Sequence, residues 1–152
     1  MKKSIPLLLL WLIFAAPLAF AAEGDNAAPA AKPAYQPTST KLDRAAFDAL
    51  LANPEQLLVI DLRRPDEISS IGGFPVYLNI QAADLEKSLA YIPKDRSIVT
   101  VSNHAGRSGK SADLLASKGF KVAGYVGAQY YEAEGGTLTK IVPPPPKPAA
   151  EK

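Results

Sequence analysis

The chain of 152 residues is long enough for one domain with terminal extensions. It contains no cysteine, and Met1 is its only methionine, so disulfides, thiolate metal sites and covalent sulfur chemistry on a cysteine are excluded. Of the 17 basic residues, Lys2 and Lys3 lie at the start of the chain, and the others are matched by 15 acidic residues. Nothing in the overall charge therefore indicates a nucleic acid or an anionic membrane surface as a partner.

Residues 1–21 are typical of a secretory signal peptide. Lys2 and Lys3 precede an apolar run over residues 5–14, and small residues lead to an Ala-Phe-Ala ending at residue 21. We expect cleavage after this ending, which predicts a periplasmic or secreted protein with no membrane attachment. Retention as an N-terminal anchor is the alternative, because residues 18–20 extend the apolar stretch.

The segments that flank the predicted domain are rich in alanine and proline. Residues 22–39 have no apolar periodicity and are expected to be a disordered or extended linker. Residues 143–152 favour polyproline II conformation, so they form either a solvated tail or a ligand for a proline-recognising domain. Residues 40–142 are left as the folded domain.

Two helices are predicted from caps and apolar spacing within this domain. Asp43 is placed to cap a helix that ends at Asn53-Pro54. Its apolar face consists of Ala46, Phe47, Leu50 and Leu51. Asp84 is placed to cap another helix that ends at Pro93. The apolar face of this second helix consists of Leu85, Leu89 and Ile92.

Short apolar runs that alternate with these helices predict strands. The runs lie at residues 57–62, 76–80, 98–101 and 122–126. Runs that are apolar almost throughout need cover on both faces, which indicates an α/β fold with a mostly parallel central sheet of about five short strands and helices on both faces. Right-handed crossovers then bring the loops that follow the strands to one end of the sheet, where sites in such folds lie.

The stretch from Ile98 to Lys118 predicts a strand, a tight polar turn and a helix. The turn covers residues 102–106, and a helix beginning near Arg107 has Ala112 and Leu115 at helical spacing. The N–H groups of such a loop and the helix dipole together favour an anion. The sequence therefore predicts an anion site at this turn.

The residues around this loop resemble the rhodanese-like family. Family members have a catalytic cysteine at the end of a strand, then four residues, arginine and usually serine, and here Ser102 precedes Arg107-Ser108 with that spacing. The segment LLVIDLRRPDEI, residues 57–68, is similar to the family's strand followed by Asp61, Arg63 and Glu67. Residues 71–80 and 119–131 resemble two further family segments.

The resemblance implies a rhodanese-like fold in which Ser102 stands where the family has its catalytic cysteine. A serine hydroxyl cannot carry a persulfide, so no sulfurtransferase activity is expected. The implied anion-binding residues are Ser102, Asn103, His104, Ala105, Gly106 and Arg107. Asp61, Arg63 and Glu67 are expected near the site in structural roles, with Arg63 paired to an acid such as Glu67 and Arg64 in solvent.

Ala105 departs from the family pattern, which usually has glycine at that position because the backbone adopts an unusual φ. Gly106 is therefore a candidate to take over this conformation one residue later. His104, the only histidine, is either an anion contact or a base for Ser102 in a hydrolase.

Two other readings of the loop are disfavoured by its sequence. The segment HAGRSGKS, residues 104–111, has the Gly-Lys-Ser end of a nucleotide-binding loop but lacks the leading glycine. Related phosphatases have five residues between the cysteine and the arginine, whereas four separate Ser102 from Arg107. No cofactor or metal is predicted.

Three classes of function remain open at this point. The first is a non-catalytic module that binds a small anion, such as a sulfur oxyanion, or an envelope protein. The second is an enzyme that uses Ser102, His104 and Arg107 for hydrolysis. The third is an interaction protein that acts through its proline-rich tail.

Overall fold

The computed structural model describes residues 35–140. The residues of the predicted signal peptide and of the proline-rich tail lie outside this range, as does most of the predicted linker. The helices and strands, in chain order, are α1 (Arg44–Leu51), β1 (Leu57–Asp61), α2 (Pro65–Ile71), β2 (Leu78–Asn79), α3 (Leu85–Ser88), β3 (Ser97–Ser102), α4 (Gly106–Ser117), β4 (Val122–Gly127) and α5 (Ala128–Ala133). Single 3₁₀ turns cover Pro54–Gln56 and Leu89–Tyr91.

The sheet is parallel throughout, with the strand order β2-β1-β3-β4. The α/β class and the mostly parallel sheet are thus confirmed, and within the described residues the sheet has four strands where about five were expected. Beside β4, the place of a further strand is taken by a single bridge between Lys41 and Tyr125. The Leu42 N–H donates to the Tyr125 carbonyl and the Tyr125 N–H to the Thr40 carbonyl, both at 2.9 Å.

Helices cover both faces of the sheet, as the unbroken apolar runs predict. Neighbouring residues of one strand point to opposite faces, so Val59 and Ile60 belong to different clusters. On one face Val59 packs with Phe47 of α1 and Tyr131 of α5. On the other face Ile60 packs with Leu85 of α3 and Leu115 of α4. The two clusters hold β1 and β3 in the middle of the domain.

Of the two predicted helix caps, the one at Asp43 is present and the one at Asp84 is absent. The Asp43 carboxylate accepts a hydrogen bond from the Ala46 N–H at 2.8 Å, which fixes the start of α1. Asp84 does precede α3, but its side chain forms no capping hydrogen bond, and that helix has only four residues before it tightens into a 3₁₀ turn.

The predicted strand at residues 76–80 is reduced to Leu78–Asn79 at the edge of the sheet. The chain bends at residues 75 and 76, so the ladder does not extend back over this part of the predicted strand. The Asn79 side chain donates to the carbonyls of Asp61 and Arg63, both at 2.8 Å, and so ties this edge to the end of β1. None of the helices within residues 35–140 combines the length and hydropathy needed to cross a bilayer.

Candidate functional site

The candidate site is the loop that joins β3 to α4, residues 102–107, which we call the 102–107 loop. Ala105 precedes the helix with a φ of 65°, and it is the only non-glycine residue among those described that has a positive φ. Glycine is favoured in this conformation, so the family's usual glycine at this position has a clear physical reason. The hypothesis that Gly106 takes over the conformation is wrong, because Ala105 adopts it itself.

The backbone N–H groups of the 102–107 loop are available to a ligand. None of the N–H groups of residues 103–107 donates a hydrogen bond to another atom of residues 35–140. The first N–H groups of a helix have no partner within it and carry partial positive charge. The loop therefore presents several donors without protein partners at the end of the sheet.

Ser102 is turned into the protein. Its residue is only 1% exposed, and its Oγ accepts a hydrogen bond from the Ser108 N–H at 3.1 Å and donates to Ser108 Oγ at the same distance. Ser108 Oγ also lies 2.9 Å from the Val126 carbonyl, to which it donates. Ser108 thus fixes the Ser102 hydroxyl, a role that the sequence analysis missed although the Arg-Ser pair belongs to the family pattern.

Arg107 does not face an empty anion site, because an internal carboxylate already contacts it. Arg107 Nη2 lies 2.6 Å from Glu67 Oε1 and Nη1 lies 2.9 Å from Glu67 Oε2. Asn103 Nδ2 donates to the same carboxylate at 2.8 Å, and the Arg64 N–H does so at 2.9 Å. The Arg107 guanidinium holds the pKa of Glu67 down at about 2, and Glu67 in turn raises the pKa of Arg107.

Arg63 pairs with an acid as predicted, but that acid is Asp61 and not Glu67. Arg63 is fully buried and pairs with the equally buried Asp61, with Nη2 at 2.6 Å from Oδ2, and it also donates to the Gly72 carbonyl. Glu67 lies on α2, whose first turn faces the 102–107 loop and so meets Arg107 instead. Arg64 is exposed as expected, paired with Asp66 at 2.8 Å.

His104 and Ser102 do not form a catalytic pair. The His104 side chain is exposed and meets the edge of the Tyr130 ring, with 5.8 Å between ring centroids. No hydrogen bond joins His104 to Ser102 or to any other residue of the described range. The arrangement therefore lacks the contact between nucleophile and base on which a serine hydrolase depends.

The HAGRSGKS segment does not form a nucleotide-binding loop either. Lys110 and Ser111 lie within α4 rather than at its start, and Ser111 is buried. Among residues 35–140 there is also no cluster of three His, Asp or Glu side chains that could hold a metal ion.

A cleft of about 490 Å³ lies beside the 102–107 loop, and its residues were largely missed by the sequence analysis. His104, Ala105 and Gly106 form one side of it. The other lining residues are Tyr35, Gln36, Pro37, Lys41, Tyr125 and Tyr130. No local motif marked these tyrosines, because they come together only through the pairing of residues 40–42 with β4.

Part of the predicted linker forms a wall of this cleft. Residues 35–40, which we call the strap, are fixed to α4 through Asp113. This carboxylate accepts hydrogen bonds from the Tyr35 hydroxyl at 2.6 Å, from the Thr38 N–H and hydroxyl at 2.9 and 3.0 Å, and from the Ser39 N–H at 2.7 Å. Gly109 allows the approach, because a Cβ at that position would collide with the Pro37 ring.

Gly127, at the end of β4, lets the 102–107 loop lie against the sheet. A Cβ on this residue would lie 3.0 Å from both the Ala105 nitrogen and the Asn103 carbonyl oxygen, and 2.8 Å from Tyr130. Since two of these neighbours are backbone atoms, they cannot move aside without changing the loop. Gly127, which lies in the segment 119–131 that resembles the family, is therefore a packing requirement of the site.

Comparison with solved structures identifies the fold. The chain is similar to a rhodanese-related protein from Thermoplasma volcanium, with 24% identity and a TM-score of 0.57 over 68% of this chain and 98% of that one. It is also similar to a protein from Rhodopseudomonas palustris described as a possible tyrosine phosphatase, with 22% identity and a TM-score of 0.59 over 66% and 84% of the two chains.

A rhodanese-like domain protein from Staphylococcus aureus is 18% identical, with a TM-score of 0.51 over 58% of this chain and 85% of that one. A scan of protein-family models and a search of curated proteins found no match. The neighbours agree with the sequence resemblance in fold, and the described residues contain no cysteine. The chain thus has the rhodanese-like fold, in a variant with Ser102 where that family carries its catalytic cysteine.

Proposed function

We propose that this protein is an exported rhodanese-like module that binds a small oxyanion or sulfur oxyanion at the 102–107 loop and transfers no sulfur. The observation that carries the proposal is the hydrogen bonding of this loop. Its N–H groups at residues 103–107 have no partner within the described residues, while the hydroxyl at the cysteine position is bonded to Ser108. Donors for an anion are thus retained without a nucleophile.

The absence of sulfur chemistry follows from the elements available. Persulfide formation needs a thiolate, and none of the 152 residues is a cysteine. Ser102 is not activated as a substitute, because its oxygen is shared with the Ser108 N–H and no base contacts it among the described residues. The hydrolase alternative is unsupported as well, because a serine nucleophile also needs a base in contact with its hydroxyl.

Glu67 supports a regulatory or binding role rather than turnover. Its carboxylate already holds Arg107 and Asn103, whereas the backbone N–H groups of residues 103–107 have no partner within the described residues. An incoming anion therefore either binds beside Glu67 or displaces it from Arg107. Export rests on the sequence of residues 1–21 and places the binding event in the periplasm or outside the cell.

The test combines a binding and an activity measurement on the purified protein. Titration with thiosulfate, sulfite and phosphate is followed through the backbone amide signals of residues 103–107 in two-dimensional NMR spectra. We expect saturable shifts at these amides and no thiocyanate formation from thiosulfate and cyanide. Sulfur transfer above the buffer rate that is lost in Ser102→Ala would contradict the proposal, and so would loop amides that respond to none of the three anions.

A further inference from the structure

The cleft between the strap and the 102–107 loop is lined by aromatic rings and has lysines beside it. Tyr35, Tyr125 and Tyr130 supply aromatic surface, and no aspartate or glutamate is among the lining residues. Lys41 Nζ lies 4.3 Å from the centroid of the Tyr130 ring, and Lys110 Nζ lies 5.3 Å from that of Tyr35. Neither lysine forms an ion pair with a carboxylate of residues 35–140.

Tyr125 adds a phenol to the lining of the cleft. The residue is only 8% exposed and lines the cleft, yet its hydroxyl forms no hydrogen bond with another residue of the described range. Within residues 35–140 the buried side-chain atoms without a partner are Arg63 Nη1, Asn103 Oδ1 and Gln129 Oε1, so the Tyr125 hydroxyl is not shut off from water. This hydroxyl is therefore free to donate to a ligand that enters the cleft.

The backbone fixes Lys41 at the side of the cleft. Its two neighbours pair with Tyr125 through the hydrogen bonds from Leu42 and to Thr40, so the lysine lies at a set position along β4. The Lys41 ammonium can therefore contact an anion in the cleft, which His104 and Gly106 also line. Arg107, in contrast, is already paired with Glu67.

The size of the cleft argues for more than an inorganic ion. A volume of about 490 Å³ is within the range of small-molecule sites and far larger than a sulfite or phosphate ion requires. Aromatic faces contribute most to binding when they cover a flat apolar group. The lining thus combines a place for an anionic head with a place for a flat body.

We propose that this cleft binds an aromatic organic anion, with its oxyanion head at Lys41 and the N–H groups of residues 105 and 106, and its ring between Tyr35 and Tyr130. This deepens the proposed function and rests on it, because the head group uses the donors of the 102–107 loop. It assigns binding roles to Lys41, Tyr125 and Tyr130, and it makes the strap part of the site.

Three related compounds test the two requirements separately. Benzenesulfonate has both the charge and the ring, methanesulfonate lacks the ring, and benzenesulfonamide is the neutral counterpart with the ring. Because His104 is the only histidine, its imidazole signals in NMR spectra of the whole protein report occupancy of the cleft without overlap. We expect benzenesulfonate to bind at least tenfold more tightly than either of the other two compounds.

Matched variants locate the site. Lys41→Met should weaken benzenesulfonate binding at least tenfold, the loss expected when a charged hydrogen-bond donor is removed. Lys121→Met, which removes an exposed lysine outside the cleft lining, should leave the affinity unchanged. Tyr130→Leu should weaken benzenesulfonate binding but not methanesulfonate binding, whereas Tyr91→Leu, at a side chain that is 83% exposed, should change neither.

The outcomes separate this inference from the proposed function. If all three anionic and neutral probes bind equally, or if Lys41→Met has the affinity of the unchanged protein, the cleft inference is wrong. Thiosulfate or sulfite shifting the amides of residues 103–107 would still uphold the loop as an anion site in that case. If neither inorganic anions nor benzenesulfonate move the loop amides or the His104 signals, both proposals fail together.

Discussion

Replacing Glu67 by glutamine is the sharpest perturbation of the site that keeps its shape. The Glu67 carboxylate accepts hydrogen bonds from Arg107, Asn103 and the Arg64 N–H. Glutamine keeps one acceptor oxygen and loses the charge, so the forked contact with Arg107 cannot be retained. The substitution should therefore both destabilise the domain and free the guanidinium.

The size of the effect follows from the pKa of Glu67. A fall from 4.5 to about 2 corresponds to at most about 3 kcal/mol of stability at neutral pH. The Arg107 side chain is 40% exposed and that of Glu67 17%, so solvent screening reduces the figure. We expect Glu67→Gln to lower the free energy of unfolding by about 1–2 kcal/mol at pH 7.

The pH dependence has a definite sign. Because the folded protein depresses the pKa of Glu67, the stabilisation is fully present above the ordinary value of 4.5 and is lost as the pH falls towards 2. The stability difference between the original protein and Glu67→Gln should therefore shrink progressively over that interval. Urea unfolding at pH 7, 5, 4 and 3, followed by far-ultraviolet circular dichroism, measures it.

Asp66→Asn is the matched control. Asp66 also lies in the first turn of α2 and pairs with an arginine, but both side chains are more than half exposed, so its loss should cost far less stability than the loss of Glu67. The reasoning would be refuted if Glu67→Gln cost no more than Asp66→Asn at pH 7. It would equally be refuted if the difference due to Glu67→Gln stayed the same at pH 3.

Three further changes test the loop and the strap. Ser102→Cys introduces a single thiol into a cysteine-free chain. The pKa of this thiol should lie below about 8.5, because the Ser108 N–H stabilises the thiolate. A pH profile of the alkylation rate with its midpoint at or above that value would contradict this. Gly127→Ala should lower the free energy of unfolding by about 1–3 kcal/mol, because the added Cβ would collide with backbone atoms. Gly106→Ala should not, because a Cβ there meets open space. Equal free energies of unfolding for the two variants in chemical denaturation would disprove the packing argument. Asp113→Asn should speed hydrogen exchange at the Ser39 amide several-fold, since its acceptor loses its charge, and an unchanged rate would mean that the strap is held by other contacts.

Much of the fold could be predicted from local sequence. The apolar runs that became β1, β3 and β4 are buried on both faces, which is the condition that produces such runs. Val76 shows where this reasoning fails: it begins an apolar run, but at the sheet edge it is exposed and outside the strand. Hydrophobic character alone does not distinguish an edge from a centre.

The site was predicted in position but not in its pairings. Glu67 was the expected partner of Arg63, and only the packing of α2 against the 102–107 loop decides that it meets Arg107 instead. The cleft could not be predicted because Tyr35 and Tyr125 are far apart in sequence. They line the same cleft only because the strap, which contains Tyr35, leads into the residues that pair with Tyr125. The linker composition of residues 22–39 gave no sign that its last residues contact α4.

A crystal structure of the protein soaked in sulfite tests the central claim most directly. The account predicts sulfite within hydrogen-bond distance of the backbone N–H groups of residues 103–107, with Ser102 Oγ still bonded to Ser108. Sulfite bound only away from this loop, or a covalent adduct on Ser102 Oγ, would contradict it.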